Sequence, residues 1–242
     1  MNINWLITKI TQSSQNYPEK IFTEKNRIYT CINSFKYHIF HRDPEPYRQM
    51  DGIFVDGIFM CKALRWLWKI KVQRLSFDMT SIAKDLFPRI CKTGESIYYI
   101  GDSQEMIEKS VTQFRSSYPD MKIAGFRNGF FSNDVERKNA IEEIIKIQPD
   151  YVIVGMGGKI QEEFLYDLKR EGFNGIGFTC GGFFHQATKQ LYYYPEWVNK
   201  YNLRAPYRMI KEKTYKRLFH LLGSFPFLFI YDTLTTKLSK SK

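Results

Sequence analysis

No window of the 242-residue chain reaches the roughly 18 uninterrupted apolar residues of a membrane-spanning helix, which excludes a polytopic membrane protein. Cysteines number only four, Cys31, Cys61, Cys91 and Cys180, too far apart for any CxxC pair. The histidines His38, His41, His185 and His220 have no metal-ligand spacing to them, and the three-residue separation of His38 and His41 reads as a solvated surface pair. Reduced thiols, no metal site and no organic cofactor are therefore expected. There is also no DxD sequence to anchor a metal-bridged sugar nucleotide, and no P-loop. Met1 to Ser14 hold one lysine and scattered polar residues in place of a basic stretch, an apolar core and a cleavage site, which argues against a signal peptide and for the cytoplasm. Internal repeats and low-complexity linkers are lacking too.

What is present is enough apolar material, 43% hydrophobic and 17% aromatic, to bury the core of a sizeable α/β domain. The formal charge of +11 demands an anionic partner: nucleic acid, a phospholipid surface or a phosphorylated substrate. Its distribution narrows the choice. From Lys200 to Lys242 ten cations face two carboxylates, so +8 lies in the last 43 residues and only +3 in the rest. A basic, aromatic tail follows a nearly neutral body.

From about Ser96 the body alternates between strand and helix patterns. Ile97-Tyr98-Tyr99-Ile100 predicts a strand ending at Gly101-Asp102-Ser103, where Ser103 can cap a helix through Met106, Ile107, Val111 and Phe114. Lys122 to Phe126 predicts a strand, Asn128-Gly129 a turn, and Asp134 the cap of a helix that stops before Pro149. Tyr151 to Gly155, with its β-branched centre, suits a strand buried on both faces of a parallel sheet. Gly157-Gly158 leads into a helix with Phe164, Leu165 and Leu168, and Gly175 to Thr179 supplies a further strand. Upstream, Arg27 to Thr30 reads as a strand, Asp56-Gly57 as a turn opening a helix from Ile58 to Trp68, and Thr80 as the cap of a helix through Ile82, Leu86 and Ile90. This order calls for right-handed βαβ crossovers and an α/β fold with an open, largely parallel sheet. An α/β domain over residues 1–195 and a basic helical appendage over 196–242 are expected.

Ligands of such sheets bind beyond the carboxyl ends of the strands. Gly101, Gly155, Gly157, Gly181 and Gly182 lie in loops there and can bring a diphosphate or sugar against backbone N–H groups at helix starts, with plain turn chemistry as the alternative reading of each. Asp56 admits two readings, helix N-cap or a carboxylate held at a strand end as general base toward a hydroxyl. Gln161, Glu162 and Asp78 carry the same ambiguity. Without a DxD, arginines must stabilise any departing diphosphate.

Taken together, Val55-Asp56-Gly57-Ile58, Arg74 with Asp78, Tyr118-Pro119, Asn128-Gly129-Phe130-Phe131, Pro149-Asp150 before Val154-Gly155-Met156-Gly157, Gln161-Glu162 and Gly181-Gly182-Phe183-Phe184 resemble, in order and spacing, the WecG/TagA/CpsF glycosyltransferase family. The resemblance runs from about Thr30 to Arg217. It implies a Rossmann-like fold and inverting, metal-independent transfer of an N-acetylmannosamine-type or related sugar from a UDP-sugar donor to a lipid-linked (undecaprenyl-diphosphate) acceptor, on the inner face of the plasma membrane, in teichoic acid, common-antigen or capsule synthesis. It puts Asp56 in the place of the active-site aspartate, with Thr30 or Asn33 beside it and Arg74 nearby, and Gln161 against sugar or nucleotide. It makes the basic C-terminal segment a lid that supplies Arg208 and Arg217 to the diphosphate and touches the anionic membrane. Departures are Val55 and Lys159-Ile160 where the family has proline and proline-lysine, Tyr193-Tyr194-Pro195 for arginine-alanine-proline, and Ala205-Pro206 for glutamate-tryptophan. A member transferring a different sugar, a catalytically inactive assembly subunit and a homo-oligomer stay open.

A nucleic-acid-binding protein using the tail as a stacking and phosphate-neutralising surface is the alternative from another class. It accounts for the charge but not for the ordered glycine and carboxylate loops, so no nucleic-acid partner is expected. Within the tail, Arg204, Arg208, Lys211 and Tyr215 are spaced for a cationic helix face. Leu218, Phe219, Leu222 and Phe225 can either enter acyl chains or pack on the body.

Overall fold

Alternate residues of the strands are apolar toward opposite sides, and that periodicity builds a sheet covered on both faces. In a computed structural model describing residues 1–201, 203–211, 213 and 219–239, six strands form one all-parallel sheet: β1 (Arg27–Ile32), β2 (Gly52–Val55), β3 (Ser96–Gly101), β4 (Lys122–Arg127), β5 (Tyr151–Gly155) and β6 (Ile176–Thr179). Their order is β2-β1-β6-β5-β3-β4, so the fold is α/β and Rossmann-like. Every residue of β5 is buried: Val152 and Val154 enter one core, Tyr151 and Ile153 the other.

The helices are α1 (Asn4–Asn16), α2 (Tyr37–Arg42), α3 (Glu45–Arg48), α4 (Ile58–Trp68), α5 (Ile82–Thr93), α6 (Gln104–Ser117), α7 (Asp134–Ile147), α8 (Ile160–Arg170), α9 (Phe183–Ala187), α10 (Glu196–Lys200), α11 (Arg204–Lys211) and α12 (Phe225–Leu238). Ser103 caps α6 by accepting from the Met106 N–H at 3.3 Å, as its position predicts. Two expected caps differ. α7 is capped by Asn133, which accepts from the Glu136 N–H at 2.9 Å and leaves Asp134 as the first helical residue. Thr80 does not cap α5, because its hydroxyl is drawn to the Asp78 carboxylate. α1 escapes the sequence reading, yet Ile3, Leu6, Ile7 and Ile10 form a buried stripe at helical spacing, and Ser13 Oγ accepts from the Ile53 N–H at 3.0 Å.

The end of the chain returns to the body. Phe225 and Phe229 of α12 stack edge-on against Tyr37 of α2, with ring centroids 5.6 and 5.4 Å apart. The fully buried Asp232 accepts from Tyr37 Oη at 2.9 Å and meets His41 Nδ1 at 2.8 Å. Phe225 is therefore a core residue and not one for acyl chains, whereas Phe219 and Leu222 are exposed; Leu218 lies outside the described residues. Among the described residues no helix is long and apolar enough to cross a membrane.

Candidate active site

The carboxyl ends of all six strands open into one cleft of ≈ 510 Å³, within the range of small-ligand sites. β2 delivers Asp56: its N–H donates to Ile32 O at 2.9 Å, extending the ladder by one residue, and Gly57 then turns the chain at φ +114°, which a side chain resists. Gly57 is the N-cap of α4, and among the described residues no side chain caps that helix. The Asp56 carboxylate is thus not a cap and lines the cleft, with Asn33 Nδ2 at 3.5 Å from Oδ2. Asn33 is itself fixed, its Oδ1 accepting from the Lys36 N–H at 3.0 Å.

A second carboxylate, Asp78, enters from the loop before α5. Ser76 Oγ donates to it at 2.7 Å and the Thr80 N–H at 2.8 Å, while burial holds its carboxyl above the ordinary range. Arg74 belongs to the same loop. It pairs with Val55 in a parallel bridge, and its Nη2 donates to Thr80 Oγ1 at 3.3 Å. Arg204 of α11 reaches across to this loop, with Nη1 3.8 Å from Asp78 Oδ2 and a hydrogen bond to Thr80 Oγ1. α11 consequently roofs the cleft, together with Tyr194. The roof is held by Arg204 over the Tyr194 ring (5.4 Å) and by Tyr207 edge-on to Trp197 (6.3 Å).

Arg208, one turn further along α11, lies on Gly182: a Cβ there would sit 3.0 Å from its guanidinium. Lys36 stands over Gly181 at 3.9 Å from the corresponding point. Four cations, Lys36, Arg74, Arg204 and Arg208, therefore rim the space into which Asp56 faces. Tyr194 also lines the cleft, its phenol pushed up by burial against the opposing pull of Arg208. Burial likewise raises the thiols of Cys31 and Cys180, which keeps both protonated and unsuited to nucleophilic work.

The residues singled out in the sequence separate into two layers. Asn33, Asp56, Arg74, Gly155, Gly157, Gln161, Gly181, Gly182 and Arg208 line the cleft. Thr30 and Glu162 do not line it and lie buried beneath its floor. Strand alternation is the reason: Thr30 shares the face of Ile28 and Ile32 that packs under α8, where Glu162 sits. Thr30 Oγ1 meets Thr179 Oγ1 at 2.8 Å and donates to Glu162 Oε1 at 2.6 Å. Gln161 Nε2 donates to the same oxygen at 3.0 Å, and its Oε1 accepts from the Gly181 N–H at 3.2 Å. Gly101 does not line the cleft; a Cβ there would strike the Gly155 carbonyl at 2.4 Å, so it serves strand-to-strand approach. Arg217 lies outside the described residues, as do Tyr215 and Lys216. Sequence reading missed Lys36, although its place just past β1 is where the strand-end rule looks. It also missed Tyr194 and the bond of Arg204 to the Asp78 loop.

Burial raises the Glu162 carboxyl, against the opposing pull of Lys36. An acid that binds its proton more tightly when folded loses stability as pH rises from its unfolded pKa through its folded one. Glu162→Gln removes that loss and keeps an acceptor for Thr30 and Gln161. The melting temperature of the variant is expected to gain on the parent as pH goes from about 4.5 to neutral, in a thermal-denaturation series. A gap independent of pH would contradict this.

The profile of the glycosyl transferase WecG/TagA/CpsF family matches residues 5–242. The UDP-Gal:alpha-D-GlcNAc-diphosphoundecaprenol beta-1,4-galactosyltransferase of Shigella boydii is 32% identical over 194 residues, spanning 80% of this chain and 81% of that protein. An N-acetylglucosaminyldiphosphoundecaprenol N-acetyl-beta-D-mannosaminyltransferase of Bacillus subtilis (strain 168) is 27% identical over 129 residues, 53% of this chain and 49% of its own. The enzyme of the same name from Staphylococcus aureus (strain MW2) is 24% identical over 151 residues, 61% of this chain and 56% of its own.

Proposed function

Because the chain belongs to the WecG/TagA/CpsF family and is a glycosyltransferase, we propose that it transfers a hexose from a UDP-sugar to an N-acetylglucosaminyl diphosphate carried on undecaprenol, with inversion and without a metal. The observation that carries this reading is the Asp56 carboxylate facing a cleft rimmed by Lys36, Arg74, Arg204 and Arg208. Asp56 takes the proton of the acceptor hydroxyl as its oxygen attacks the anomeric carbon from the face opposite the nucleotide. The bond from that carbon to the diphosphate oxygen breaks, and the electron pair leaves with UDP. The new charge on UDP meets Arg208, Arg204 and Lys36, which do the neutralising otherwise left to a divalent ion. In this reading the body over 1–195 supplies the base and the appendage over 196–242 supplies cations for the leaving group.

For the donor we favour UDP-galactose. The galactosyltransferase relative aligns with four fifths of the chain, whereas the mannosaminyltransferases cited align with little over half. The departures at Val55 and Lys159-Ile160 also fall beside Asp56 and Gln161. Setting UDP-galactose against UDP-N-acetylmannosamine with a lipid-linked N-acetylglucosaminyl diphosphate tests this, and turnover with the latter alone overturns the choice of sugar. Arg208→Ala is expected to lower kcat about a hundredfold; unchanged kcat would remove Arg208 from the diphosphate site. The enzyme meets its acceptor at the inner face of the plasma membrane, a placement supported by the exposed Phe219, Leu222 and Phe227 of the tail.

A further inference from the structure

The near neutrality of the body hides a local concentration of charge. Between Asp56 and Asp78 there is no acidic residue, but there are five cations: Lys62, Arg65, Lys69, Lys71 and Arg74. Arg74 turns into the cleft. The other four are exposed, and among the described residues none of them enters an ion pair. They belong to α4 and the segment just after it. Met60, Cys61 and Leu64 of α4 pack inward, while Phe59, Lys62, Trp66 and Lys69 recur at helical spacing on the outer side. Trp66 is 71% exposed and Phe59, which also lines the cleft, 43%.

The outer face of α4 does not stand alone. Trp68 Nε1 donates to Thr233 Oγ1 of α12 at 3.0 Å, and Lys237 Nζ donates to Leu67 O at 2.7 Å. Beside that seam α12 exposes Phe227, Ile230, Tyr231, Leu234 and Leu238, an uncovered apolar stripe. An acid-free cationic helix with an outward tryptophan, continuous with an apolar stripe, has the composition of an interfacial membrane element.

We propose that the outer face of α4 is a docking surface for an anionic lipid bilayer, with Trp66 at the level of the headgroups and Lys62, Arg65 and Lys69 on lipid phosphates. This rests on the lipid-linked acceptor reading and adds a position to it. α4 begins at Ile58, one residue past Gly57 and two past Asp56, so docking there holds the Asp56 end of the cleft at the membrane surface, where a diphosphate on a lipid anchor emerges. The bilayer contact thereby falls on the body as well as on the basic tail.

The test is sedimentation of the full-length protein with phosphatidylcholine vesicles containing about one third phosphatidylglycerol, at low salt and without acceptor. A cation near such a surface is worth about fivefold in partitioning. The triple variant Lys62→Ala, Arg65→Ala, Lys69→Ala is therefore expected to bind about a hundredfold more weakly, and Trp66→Ala about tenfold. Both variants keep the parental melting temperature and the parental turnover on an acceptor with a short, water-soluble lipid, but lose turnover on full-length acceptor in vesicles. Parental vesicle binding by both variants overturns the proposal. So does Trp66→Ala dissociating an oligomer in analytical ultracentrifugation while vesicle binding persists, since the face would then seat a second copy. Failure of the acceptor reading shows up separately, as no turnover by the parent on the short-lipid acceptor.

Discussion

Asp56→Asn lowers kcat by about a thousandfold, within the usual worth of a positioned general base, and leaves the affinity for UDP unchanged. Asparagine keeps the shape of the side chain and a polar partner for Asn33, whose Nδ2 lies 3.5 Å from the native carboxylate. Only the ability to take a proton is lost. Asp78 does not substitute for it. Both of its oxygens are engaged by Ser76 and Thr80, and Arg204 approaches from the roof. Steady-state kinetics with the donor and calorimetric titration with UDP make the measurement. Full turnover by the variant would sink the assignment of Asp56, and lost UDP affinity would place that residue in nucleotide binding instead. The ordinary alternative for an aspartate before a helix, that it caps the first turn, already fails on geometry, because Gly57 is the N-cap and among the described residues no side chain bonds there.

Asp232→Ala costs about 3 kcal/mol of folding free energy, the largest stability loss expected of a single polar substitution here. The carboxylate is fully buried between Tyr37 Oη at 2.9 Å and His41 Nδ1 at 2.8 Å. Removing it leaves the buried Tyr37 hydroxyl without its partner beside Phe225 and Phe229, and takes the carboxylate from His41 and from the N-terminal ammonium of Met1, 2.9 Å away. For a chain of this size that loss corresponds to a fall in melting temperature of about 6–12 °C. Asp232→Asn, which retains an acceptor for Tyr37, falls by less. Equal melting temperatures for the parent and the alanine variant would mean that the Asp232 bonds contribute nothing to the seating of α12. The same experiment bears on the membrane surface, since α12 carries the apolar stripe beside α4.

Local pattern carried much of the architecture. The strand at Tyr151–Gly155, the cap at Ser103 and the helix opening after Gly57 were all readable, because burial on two faces and an unsatisfied first turn each leave a mark on adjacent residues. The caps expected at Asp134 and Thr80 fail for different reasons: Asn133, one residue earlier, takes the first-turn N–H of α7, and the Asp78 carboxylate draws the Thr80 hydroxyl away from α5. α1 is not legible in the sequence because its buried stripe is spread among polar residues and acquires meaning only against β2.

Asp56 is legible as a candidate for a different reason, since a carboxylate at a strand end already lies where parallel sheets bind their ligands, and the structure adds that it lines the cleft. By itself the sequence determined the parallel α/β scaffold, the end of the sheet that holds the site and the surplus of cations. Tertiary structure alone decided that Thr30 and Glu162 lie under the floor while Asn33 and Gln161 face the cleft, since a one-residue step along a strand or helix reverses or rotates a side chain away. It also decided that Arg204 reaches the Asp78 carboxylate more than a hundred residues away, that Arg208 lies over Gly182, and that the exposed cations of α4 share a surface with α12. Those are contacts between segments far apart in sequence, and no periodicity within either segment encodes its partner.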